Sequence, residues 1–305
     1  MAKTGIVFVG GDQGLVLLSD PANIGRWRKI GHELVDKKVA AILARTPIEL
    51  DLALGSDGIW SSRDGGQSWQ PRSAVSTCFL LAHPATPTTL FAASAIGIRR
   101  SDDAGQSWNT LDMIDLPKQA IQSFLIDPHN AGRMLIGLAQ AGIYASNDAG
   151  KRWFAVGAGL PSGLRSMAVS PNRPNRLFAL AGNGLWTSGE SGLWVGSAPL
   201  ALSTSTGLAI LGGANEAVLV AYGDQSTGYG IARSIDDGAH WELSQIDEPL
   251  QAPVGVIHAA SYHIDTAWAG THDGRLLLSS DRGRTWKTIA RDLGHIRAIE
   301  ATRLA

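Results

Sequence analysis

A chain of 305 residues in which 17% of side chains are charged, with a formal net charge of -1, has no general electrostatic pull toward nucleic acid or an anionic membrane. Its length suits one sizeable core and leaves no room for a comparable second one, so a single domain over 1–305 is expected. The first eleven residues lack the features of an export signal, no apolar run approaches the roughly 18 residues that span a membrane, and a single cysteine excludes an intrachain disulfide; a cytoplasmic protein is expected.

In chain order, Gly5–Gly10 and Gly14–Ser19 read as two apolar strands joined by a tight turn, followed by Trp27. A recurring unit then begins. Its first strand is an apolar run that often ends in proline: Val39–Arg45, Cys78–Pro84, Ile121–Pro128 and Leu164–Pro171. Within one of these runs, Cys78 is expected to be a small core residue. A second strand follows a polar turn, as in Thr89–Ala93, Arg133–Leu138, Arg176–Ala181 and Thr266–Gly270. Glycine opens the third, as in Gly58-Ile59-Trp60, Gly97-Ile98, Gly142-Ile143-Tyr144, Gly184-Leu185-Trp186 and Gly230-Ile231. A turn ending in tryptophan leads into the fourth.

Trp27, Trp69, Trp108, Trp153, Trp194, Trp241 and Trp286 fall at intervals of 42, 39, 45, 41, 47 and 45 residues. A period of roughly 40 to 50 residues with several short strands per unit marks a β-propeller, one unit per blade. The expected fold is therefore all-β: a seven-bladed β-propeller of four-stranded antiparallel blades. The N-terminal strands are out of phase, being the second and third of a blade, and His295–Arg303 supplies the missing first strand. Pairing of the C-terminal strand with the N-terminal strands should close the ring and remove two sheet edges. A closed ring needs no second copy, and a monomer is expected.

Five of the tryptophans end the string Ser-x-Asp-x-Gly-x-x-Trp, at Ser62–Trp69, Ser101–Trp108, Ser146–Trp153, Ser234–Trp241 and Ser279–Trp286. A sixth copy has Ser188, Glu190, Gly192 and Trp194, with Glu for Asp and one residue fewer; the seventh, Ser19–Trp27, has diverged. Aspartate can accept hydrogen bonds from its own turn, glycine adopts a backbone that side chains disfavour, and the indole anchors the returning strand. A ligand or catalyst is needed once, whereas a turn is needed in every blade, so these aspartates are expected to build turns. No metal site is expected, because the histidines lack the spacing that makes ligands converge.

This string resembles the Asp-box of the bacterial neuraminidase repeat family, which includes sialidases, xyloglucan hydrolases, sortilin-type receptors and a photosystem II assembly factor. The resemblance implies a propeller whose site lies on the face away from the boxes. The sialidase Arg-Ile-Pro motif is missing from Asn23–Arg28, where only Arg26 and Arg28 stand, and no Tyr with Glu pair can be placed. In architecture the chain is most similar to the single-ring photosystem II assembly-factor branch, which implies a scaffold without a cofactor.

The second-to-third strand turns and the starts of the first strands share the face away from the boxes. They bring Asp57, His272 and Asp273 from the turns and Lys38, Arg165 and Arg297 from the strand starts. Tyr222 and Tyr229 stand in what reads as an insertion lengthening one turn. The cations suit a carboxylate on a protein or peptide partner, or a small anion or sugar. The leading expectation is a non-catalytic binding platform. The alternative is a small-molecule enzyme, a glycosidase, lyase or isomerase, at the channel mouth; Asp57, Asp224 and Asp273 are its candidate acids for glycoside hydrolysis.

Overall fold

The structure, a computed structural model, describes residues 4–22, 24–95, 97–113, 115–189, 192–197 and 206–304; Asn23 and Glu190, both weighed above, lie outside the described residues. Among the described residues there are seven antiparallel sheets of four strands, one of which gains a fifth, and no helix. Six blades are sequential: Ala41–Ser73, Phe79–Thr110, Ile121–Ala155, Ser166–Ser197, Leu208–Leu243 and Val254–Ala290. Counted as blades 2 to 7, they follow a composite blade 1, in which Ile296–Leu304 pairs antiparallel with Thr4–Gly11, followed by Gly14–Asp20 and Arg28–Glu33. The seven first strands touch one another in an unbroken circuit around the axis.

The core lies between blades. Second strands are buried almost throughout, as in Leu177–Ala181 and Ala267–Thr271, because both faces of a blade pack on neighbours. Trp286 and Trp268 are buried, and Trp27, the anchor of the diverged copy, stacks edge-on against Trp268 with ring centres 4.8 Å apart. Blade 7 carries an extra strand, Gln245–Ile246, which runs parallel to Thr285–Ala290 and covers its outer edge.

The repeated turn is the same hydrogen-bonded object five times. The serine hydroxyl of each copy donates to the aspartate at 2.7 to 2.9 Å and accepts the glycine N–H at 2.8 Å. The same carboxylate accepts the backbone N–H four residues on at 2.9 Å. Four of the indoles donate to the turn glycine's carbonyl at 3.1 to 3.2 Å, and Trp241 donates instead to Ser197. Two successive residues are left-handed, not the glycine alone. Ala104, Ala149, Asp237 and Arg282 precede the glycine at φ of 57 to 63°. Such a backbone costs a non-glycine residue roughly 1–2 kcal/mol, which the carboxylate's hydrogen bonds offset.

Hydrogen bonds hold three of these carboxyls down at about 2: the Ser68 hydroxyl and backbone lead at Asp64, the Arg152 backbone at Asp148, and the His240 backbone and imidazole at Asp236. A carboxyl depressed in the fold contributes stability that is present above its ordinary 3.8 and lost as pH falls toward 2. The denaturation midpoint of the protein is expected to drop steeply across that window. Asp148→Asn should take away its share of the slope, and an identical slope in the variant would show that the turn carboxylates do not cause it.

Candidate functional site

Backbone hydrogen bonds define two faces. On one, four of the five repeated turns donate a backbone N–H to the start of the second strand of their own blade or to the turn before it, as in Ala104 N–H to Thr88 O at 2.8 Å and Arg282 N–H to Asp265 O at 2.9 Å. On the other, the second-to-third strand turns meet the linkers between blades: Val39 N–H donates to Gly11 O at 3.0 Å, and His272 N–H to Pro253 O at 3.0 Å. The sequence-derived candidates, from both classes of segment, stand on this second face.

They do not form one constellation. Asp57 is ion-paired with Lys37 at 2.9 Å on blade 2. Arg165, half-buried, donates to the carbonyls of Gly163 at 3.3 Å and Gly182 at 2.6 Å in its own blade, and burial lowers its pKa. The Tyr222–Tyr229 segment is no long loop: the strands Ala217–Asp224 and Gly228–Ser234 run through it in register, leaving residues 225–227 as the turn. Asp224 closes that turn, accepting the N–H groups of Ser226 at 2.8 Å and Thr227 at 2.9 Å. The Tyr222 ring covers Gly230, its cross-strand partner, and Tyr229 packs on the core beside Leu250.

A second group does converge where blades 7, 1 and 2 meet. Arg297 donates to both oxygens of Asp12, at 2.7 and 3.3 Å, across 285 residues of sequence. Lys38 stands 3.4 Å and His295 3.9 Å from the same carboxylate. His272 lies against His295 with ring centres 4.0 Å apart and ring planes tilted by 37°. Asp273, beside it, accepts a hydrogen bond from the Thr271 hydroxyl. Sequence reasoning had Lys38, His272, Asp273 and Arg297. Asp12, in a second-to-third strand turn, and His295, at the start of the closing strand, are not among those candidates, because nothing local marks Asp12 as a hub.

Cys78 is exposed, not part of the core. Its N–H donates to Ala93 O while the next residue, Phe79, pairs with Ala93. Arg165 relates to Leu180 in the same way, and Ala40 to Ala53. In blade 1 the register skips Arg297, between Ile296 and Ala298. These positions precede the regular pairing of their strands, so their side chains escape the inter-blade core.

Farther along the inner strands, His258 Nε2 and Glu300 Oε1 lie 3.9 Å apart, with 21% of each side chain exposed. The adjoining inner strands, Leu208–Leu211 and Ala41–Ala44, bring only apolar side chains. His258 Nε2 is buried and makes no hydrogen bond. This poorly solvated setting pulls His258 down to about 4 and pushes Glu300 up to about 7. Among the described residues, no group of three or more His, Cys, Asp or Glu is placed to hold a metal.

The sequence matches no protein-family model, and it matches no curated protein. Solved structures resemble the fold. The chain is similar to YCF48 bound to D1 peptide (20% identity, TM-score 0.61, covering 83% of this chain and 82% of that one). It is also similar to a chain of the mitotic checkpoint complex (14% identity, TM-score 0.62, 89% and 85%). An ancestral GH74 enzyme aligns with TM-score 0.66 and 14% identity over 87% of this chain, which spans only 38% of that enzyme's length. At these identities the likeness shows the seven-bladed ring and nothing finer.

Proposed function

We propose that the protein is a non-catalytic platform that binds a protein or peptide through the face opposite the repeated turns. The observation that supports it most is the pair of cations at the blade 7–1–2 junction. There Lys38 and Arg297 share the single carboxylate of Asp12, with Lys38 59% exposed. An acidic side chain or a C-terminal carboxylate is the chemistry such a pair takes. The candidate acids for glycoside hydrolysis favour this reading too. Asp57, Asp224 and Asp273 stand on blades 2, 6 and 7, engaged respectively by Lys37, by their own turn and by Thr271. Similar propellers solved with D1 peptide and within the mitotic checkpoint complex point the same way, as does the resemblance of the repeated turn to the Asp-box scaffolds. The expected setting is cytoplasmic.

Photo-crosslinking tests the face. A crosslinker at Gln122, which is exposed at the start of its inner strand where the register skips it as it skips Arg297, is expected to capture the partner, and one at Gln67 or Gln106, in the repeated turns, is not. Lys38→Ala should cut recovery at least about fivefold, roughly 1 kcal/mol, with an unchanged melting temperature. Capture from the turn positions alone would put the partner on the wrong face and end this reading.

A further inference from the structure

The two imidazoles in contact at the junction are unexplained by ring closure, which Arg297 and Asp12 already serve. His272 comes from the Thr271–Arg275 turn and His295 from the approach to the closing strand, and their rings meet at 4.0 Å. Space for this is built into blade 7: a Cβ on Gly255 would stand 2.8 Å from His272 Nε2. Around them stand Arg297, Lys38, Asp12 and Asp273. Asp12 occupies two of the five guanidinium N–H donors of Arg297 and has Lys38 at 3.4 Å, so hydrogen-bonding capacity is left over on both cations.

We propose that this junction is a proton-coupled oxyanion site, in which a carboxylate or a tetrahedral oxyanion on the partner seats against Lys38 and Arg297 and is held more tightly as His272 and His295 take up protons. The proposal rests on the platform reading for its choice of face. With both imidazoles neutral, Lys38 and Arg297 exceed Asp12 by one positive charge, while Asp273 offsets the remainder. Each protonation adds a full positive charge to this cluster. In the free protein that charge is resisted. Burial first lowers both imidazoles below the ordinary 6.5; the charge of Arg297 adds to it at His272 against Asp273, and the charges of His272 and then Arg297 add to it at His295 against Asp12. A bound anion supplies the missing countercharge, so binding and proton uptake reinforce one another by linkage. Affinity should therefore rise as pH falls from 8 toward 5.5.

Calorimetric titration tests this with two probes whose own charge is nearly constant over that range: sulfate for a tetrahedral oxyanion and N-acetylglutamate for a peptide carboxylate. At least one is expected to bind about tenfold more tightly at pH 5.5 than at pH 8. Net proton uptake would be read by repeating the titration in buffers of different ionisation heat. The preferred probe identifies the source. The His272→Gln, His295→Gln double variant should keep its melting temperature and lose the pH dependence. A flat profile in the native chain, no binding of either probe, or a pH dependence that survives in the double variant each overturns the proposal. A flat profile together with Lys38-dependent partner capture would leave the platform standing and remove only the proton coupling.

Discussion

Removal of residues 295–305 is expected to abolish the native ring, not merely weaken it. Ile296–Leu304 pairs along the whole of Thr4–Gly11, and its Ile296, Ile299 and Ala301 are buried in a cluster with Val7, Val9, Val16, Leu18, Trp268 and Leu276. Two isoleucines alone account for about 3–6 kcal/mol of burial. The truncation also strips one face from blades 7 and 1 and leaves Thr4–Gly11 with a free edge. Against the roughly 5–15 kcal/mol that holds a typical domain folded, this loss is decisive. The measurement is a thermal melt of the truncated chain, expected to show no cooperative transition. The graded variant Ile299→Ala should cost about 2–5 kcal/mol and still fold. A truncated chain that melts within a few degrees of the full one would mean that the ring does not depend on its composite blade.

The second large effect is set by pH at the inner strands. Glu300 is pushed up to about 7 from an ordinary 4.5 by burial, opposed only by the Ala301 backbone N–H. A carboxyl raised in the fold contributes stability that is complete below 4.5 and is lost as pH rises through 7, because the unfolded chain ionises it freely and the fold does not. A shift of this size corresponds to about 3 kcal/mol. Glu300→Gln is therefore expected to raise the unfolding free energy from urea titration at pH 8 by up to that amount, moving the midpoint up, and to change little at pH 4.5. His258 works in the opposite direction. Pulled down to about 4 from 6.5, its contribution is present above 6.5 and fades as pH falls to 4, so His258→Gln should help only in acid. The two variants thus separate two groups 3.9 Å apart by the pH at which each matters. Equal midpoints for Glu300→Gln and the native chain at pH 8 would refute the account of Glu300.

Most of the fold was legible because its signals are local and repeated. A serine, an aspartate, a glycine and a tryptophan within eight residues form a turn whose bonds nearly all close on the turn itself, so their recurrence counts blades without knowledge of distant contacts. The phase error at the termini likewise showed which strand was missing. Legibility failed at one-residue offsets. Cys78 looked like core because it heads an apolar run, yet it sits just before the pairing register begins and is exposed. The Tyr222–Tyr229 segment looked like a loop because it departs from the repeat, yet cross-strand pairing carries the hairpin through it.

What the chain's own pattern determined, then, is the architecture: a period, a turn chemistry and a split blade, each readable from neighbours in sequence. Only the closed ring decided which side chains meet. Arg297 and Asp12 are 285 residues apart and come together because the last strand lies beside the first. Arg165, chemically its equal, is instead engaged by carbonyls of its own blade. Charge and residue type are the same in both cases. The difference lies in what packing places within three ångströms, and that depends on backbone closure over the whole molecule, which no local stretch of residues encodes.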